Sequence, residues 1–160
     1  SAPEAGVSIS TIPWVDVTGG VVLSPNEIDV VPIYIHHTIT ITKIRILGSS
    51  GIAYNWGVAI YNSAGNKVAE TGAQASGSTV GLKTATVAWS ALTSGQYYLA
   101  ITQDSGVSPV FGGAFHGGAA RTFRIGVANE TSVAAVFPAS IVLGNITESA
   151  EISWINCYAG

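Results

Sequence analysis

Three histidines, nine carboxylates and one cysteine are the residues of this 160-residue chain that could carry acid–base, nucleophilic or metal chemistry. His36 and His37 are adjacent, and on an extended strand neighbouring side chains point to opposite faces, so they cannot grip one ion together. His116 stands between Phe115 and Gly117-Gly118 and is the histidine best placed to touch a ligand. A nucleophilic triad needs Ser, His and an acid to converge, and no nucleophile-elbow motif fixes any serine. A glycosidase needs two carboxylates facing across a cleft. Glu4, Asp16, Glu27, Asp29, Glu70, Asp104, Glu130, Glu148 and Glu151 are scattered, and spacing selects no pair among them. The nearest approach to a calcium loop, Asn26-Glu27-Ile28-Asp29, is short and interrupted by Ile28. Gly112-Gly113 and Gly117-Gly118 lack the lysine and following helix of a phosphate loop. The lone Cys157 can form no internal disulfide and reads as a small buried hydrophobe. These residues assign no catalytic group, no metal and no cofactor, and the chain reads as non-enzymatic.

Aromatic residues are the remaining lead. Four Trp and six Tyr could offer faces and polar edges to sugar rings, although most must serve the core or an interface. Those expected in loops or at strand ends are better placed for a ligand. Trp14, Tyr54 and Phe115, with His116, are therefore the candidate glycan-contacting residues.

Charge is scarce. Charged residues make up 9% of the chain, against roughly a quarter in ordinary soluble domains. Six Lys/Arg and nine Asp/Glu are too few to build a normally solvated surface. Ser, Thr, Asn, Gln and Gly must do so, which suits a surface covered by copies of itself or one that meets neutral polar partners. The net charge of −3 and the scattered basic residues, Arg121 and Arg124 being the closest arginine pair, exclude a phosphate-tracking stripe for nucleic acid. No apolar run is long enough for a membrane helix.

The elements expected to position these residues are strands. Residues 1–13 read as an arm with Pro3 and Pro13, and residues 14–160 as one domain. Short β-rich runs alternate with Gly, Ser, Asn and Pro punctuation. In Thr38–Ile46 the isoleucines at 39, 41, 44 and 46 call for a bulge near Thr42-Lys43 to share one face. Tyr54–Tyr61 suits a central strand, turning at Asn62–Asn66 into a hairpin with Lys67–Thr71. Thr84–Trp89, Gln96–Thr102, Thr122–Val127, Ser140–Leu143 and Ile152–Tyr158 complete the set, while Gly106–Ala120 reads as a long glycine-rich loop. Amphipathic helix patterns are absent, apart from a single turn expected at Val133–Phe137. The sum is an all-β, antiparallel, jelly-roll-like sandwich of about eight or nine strands.

Two stretches carry a resemblance. Ile60-Tyr61-Asn62-Ser63-Ala64-Gly65-Asn66 and Leu92-Thr93-Ser94-Gly95-Gln96-Tyr97-Tyr98-Leu99-Ala100-Ile101 follow Val31–Ile35 and Ile39–Ile46 in an order that resembles a β-sandwich module of tailed-bacteriophage structural proteins. That module occurs in tail fibres, tailspike ends and capsid-decorating proteins. The resemblance implies a non-enzymatic virion-surface protein that forms a homo-oligomer, often a trimer, and contacts capsid or tail proteins or a host-surface glycan. Two other functions compete with capsid decoration. One is a glycan-binding tail-fibre or receptor-binding domain; the other is an extracellular filament subunit whose N-terminal arm completes a neighbour's sheet.

Overall fold

A computed structural model describes residues 7–12, 14, 17, 19–115, 126–149 and 151–160. Two antiparallel sheets face each other. The first holds β1 (Val7–Ser10), β2 (Gly19–Val22), β4 (Lys43–Gly48), β8 (Gly81–Thr86), β10 (Val110–Phe115), β13 (Glu151–Ser153) and β14 (Ile155–Ala159). The second holds β3 (Asp29–Ile35), β5 (Asn55–Asn62), β6 (Lys67–Glu70), β7 (Gln74–Ala75), β9 (Gly95–Gln103), β11 (Gly126–Val127) and β12 (Thr147–Glu148). From β2 to β5, and again from β8 to β10, the chain changes sheet at every step, a jelly-roll-like winding.

The described residues form 14 strands rather than eight or nine. The surplus comes from pieces too short for hydrophobic alternation to show: β7, β11 and β12 have two residues each. The run Ile152–Tyr158 is split at Trp154 into β13 and β14. Val7–Ser10, inside the stretch read as an arm, pairs with β14 of its own chain.

Between the sheets lies the main core. Ile39, Ile41, Ile44 and Ile46 all contribute to it, as their spacing requires. They do so through a break instead of a bulged continuous strand. Ile39 bridges Leu92, Thr42 donates its N–H to the Tyr158 carbonyl, and regular pairing of β4 begins at Lys43. Each such side chain, taken fully from water, contributes roughly 1.5–3 kcal/mol.

Central strands β5 and β9 are buried on both faces, because a second core covers the outer side of their sheet. Ile28, Val30, Ala59, Tyr61 and Ala100 meet Ala128, Phe137, Ile141 and Ile146 there. The covering segment has little regular structure. Val133–Val136 closes a tight two-residue turn, not a helical turn; of the strand expected at Ser140–Leu143 only an isolated Ser140–Asn66 bridge forms, and a short 3-10 turn, Leu143–Asn145, follows. Of the pair Tyr97-Tyr98, Tyr97 enters the main core and Tyr98 packs against the second.

The glycine-rich stretch from 106 onward is not simply a loop. Val110–Phe115 is strand β10, paired with β2, β13 and β4. Its glycines are there for close approach: a Cβ on Gly112 would strike Leu47, and one on Gly113 the Ile152 carbonyl. Residues 116–125, which include His116, Arg121, Arg124 and most of the strand expected at Thr122–Val127, lie outside the described residues.

Candidate functional site

Strands β5 and β9 pair with Trp56 opposite Gln103, which brings the preceding Asn55 beside the following Asp104. Asp104 accepts the Asn55 backbone N–H on Oδ1 and the Asn55 side-chain amide on Oδ2, both at 2.8 Å. The carboxylate is thus held in one orientation by one neighbour. Ala53, Tyr54, Asn55, Ala75, Gly77, Asp104 and Ser105 line an open pocket of about 420 Å³. Ser105 belongs to a tight turn in which its backbone N–H meets the Gln103 side-chain carbonyl and its hydroxyl accepts the Val107 N–H. Three connections converge at this end of the sandwich: those before β5, after β7 and after β9. A shallow, mostly apolar site there carries the polar groups of Asn55, Asp104 and Ser105, which can hydrogen-bond a small ligand, and no cation lines it.

Of the four candidates read from the sequence, Tyr54 lies at this pocket. Its ring is buried, edge-on to Phe111 at 5.3 Å, so it offers no open face for stacking. Its hydroxyl has no hydrogen-bond partner among the described residues and is pressed toward Gly48, and burial raises its pKa. Trp14 is 53% exposed and stands edge-on to Trp154 at 4.9 Å, away from the pocket lining. The backbone of Phe115 pairs with Glu151 at the end of β10, and His116 lies outside the described residues. The structure therefore does not gather the four at one place among the described residues. Asn55, Asp104 and Ser105 were missed by sequence reasoning. Their signal was the pairing register of β5 with β9, which residue types alone do not reveal.

The other groups fall into place around this site. His36 and His37 follow β3 instead of lying within it, and both are exposed, so the opposite-face geometry expected of a strand does not apply. His36 packs beside Tyr34 at 5.0 Å between ring centres. Cys157 is fully inside the core, and burial pushes its thiol up to about 12, leaving it protonated. Asp29 is buried, and its pKa is pushed up to about 8 by burial first, then by the charge of and hydrogen bond to Glu27, then by Glu151. Its Oδ1 has no hydrogen-bond partner among the described residues. Among the described residues no group of three or more His, Cys, Asp or Glu is placed to hold a metal ion, and no helix is long and apolar enough to cross a membrane.

No known protein family and no curated protein matches the chain.

Proposed function

We propose that this chain is a non-enzymatic structural protein of a bacteriophage virion surface, assembling as a homo-oligomer and acting in capsid decoration. The observation that carries the reading is a surface poor in charge and dotted with exposed aliphatics on the sandwich. Val80, Leu82, Val107, Val133, Val136 and Val142 are all exposed, in a chain with only nine acids and six Lys/Arg. Of these, Val80 and Leu82 stand two residues apart on one stretch at β8, and contiguous exposed apolar surface is what copies or partner proteins cover. The stretches that carry the resemblance have the physical roles expected of them. Gly65, at φ +85°, turns β5 into β6, and Gly95 opens the buried aromatic strand β9. The test is addition of the purified chain to tailed-phage particles that lack it. Stoichiometric binding and a raised disruption temperature support decoration; no association with any particle argues against it.

Host-surface attachment is a second reading, favoured by the pocket at Asn55 and Asp104. Binding of the chain to intact host cells, competed by their surface polysaccharide, would separate attachment from decoration. The filament reading draws less support, because Val7–Ser10 completes the sheet of its own chain.

A further inference from the structure

We propose that the pocket between the β5 and β9 ends binds a neutral saccharide, the Asp104 carboxylate accepting two hydroxyls of a vicinal diol. The inference rests on the attachment reading and gives it a ligand class and a place. A carboxylate has about four acceptor sites. Asp104 uses one on each oxygen for Asn55, which fixes the group and leaves a further site on each oxygen. Two adjacent O–H donors spaced as on a sugar ring match that arrangement. The Asn55 amide gives one of its two hydrogens to Asp104, and the second can reach a ring or hydroxyl oxygen. Ser105 adds a hydroxyl donor, since its oxygen already accepts from Val107. Ala53, Ala75 and Gly77 form low walls that let a ring lie close, and their methyl and methylene groups suit its C–H face. A volume of about 420 Å³ falls within the range of small-molecule sites.

Other ligand classes fit less well. An anion would meet the Asp104 charge with no cation in the lining to offset it. A calcium ion needs six to eight oxygens, and Asp104 is the lone carboxylate in the pocket. With no open aromatic face, each site binds weakly, and the useful strength comes from several copies on one particle.

The experiment is a titration of the ¹⁵N-labelled full chain with the methyl glycosides of glucose, galactose, mannose and N-acetylglucosamine. The expected result is saturable shifts, in the millimolar range, confined to the Asn55 side-chain amide and the Asn55, Gly77, Asp104 and Ser105 backbone. Asp104→Asn should weaken the tightest glycoside at least about tenfold, because an amide offers one acceptor oxygen where the carboxylate offers two. Ala53→Trp fills the pocket from an exposed position and should abolish the shifts while the rest of the spectrum is unchanged. Absence of these shifts with all four glycosides, or shifts that survive Ala53→Trp, overturns the assignment. So does a response of the same residues to calcium chloride alone. Particle binding is measured separately. A chain that binds particles but no glycoside loses only the saccharide site, and one that binds a glycoside but no particle or cell loses only the virion reading.

Discussion

Tyr54 and Gly48 are matched at atomic scale. A methyl group on Gly48 would sit 2.5 Å from the Tyr54 hydroxyl and 3.2 Å from Lys83 Cε. Gly48→Ala should cost about 1–3 kcal/mol, the usual range for overpacking. Tyr54→Phe removes a buried hydroxyl that bonds to nothing among the described residues, so it should be neutral or slightly stabilising. In the Tyr54→Phe background the Gly48→Ala cost should fall by more than half. Denaturant midpoints of the four chains in the cycle measure this, and additive effects would show that the hydroxyl is not the obstacle. Asp29 allows a second test at the same scale. Its folded pKa of about 8 lies above the ordinary 3.8, so the folded state holds its proton more tightly than the unfolded chain does. The Asp29 contribution is greatest below pH 4 and is lost as pH rises toward 8. Asp29→Asn keeps a neutral group there, so its melting temperature should exceed the parent's by on the order of 10 °C at pH 8 and match it near pH 4. Equal melting curves at both pH values would contradict a proton held at this site.

At the scale of elements, the turn between Val133 and Val136 is where two consecutive alanines are held in left-handed backbone. Ala134 and Ala135 both have positive φ, 48° and 62°, a conformation that favours Gly, Asn or Asp. Ala135 is fully buried, and its carbonyl lies so near Gly57 that a Cβ there would be 2.7 Å away. Packing against β5 holds the strain. Ala134 is exposed, so Ala134→Gly should stabilise the fold by about 1 kcal/mol, read as a raised denaturant midpoint. The sequence suggested a helical turn at Val133–Phe137 instead, because nothing in Val-Ala-Ala-Val marks positive φ. The legible elements were those whose chemistry is local. Asn62–Asn66 marks its hairpin with Gly65, and Gln96–Thr102 marks β9 with an almost unbroken run of aromatic and aliphatic residues. Strand β10 was hidden because its Gly112 and Gly113 serve contacts with Leu47 and Ile152, far away in sequence. The pocket was hidden for the same reason. Asn55 and Asp104 meet only through the β5–β9 register, while Tyr54 was visible as an aromatic at a strand end.

For the whole molecule, low charge was the feature most plainly written in the sequence, and the structure shows where its consequences fall. Among the described residues β8 pairs only with β4, leaving its far side as a sheet edge. That edge exposes Val80 at 64% and Leu82 at 56%. Soluble sheets commonly guard such an edge with outward charges or proline. The β8 strand, Gly-Leu-Lys-Thr-Ala-Thr, has one charge, and Lys83 is tied back to the Thr79 carbonyl. In the homo-oligomer proposed above, an edge of this kind is covered by another copy. Leu82→Lys should therefore lower the solution mass by at least one oligomer step, measured by light scattering, while leaving the melting curve of the single domain almost unchanged. The parent assembly should also keep its mass between about 0.05 and 0.5 M sodium chloride, because apolar and neutral hydrogen-bonded contacts are little screened. A parent chain that is monomeric at every concentration would remove the oligomer from the proposal. A parent oligomer that dissociates in salt would mean that its few charges, not its neutral surface, hold the copies together.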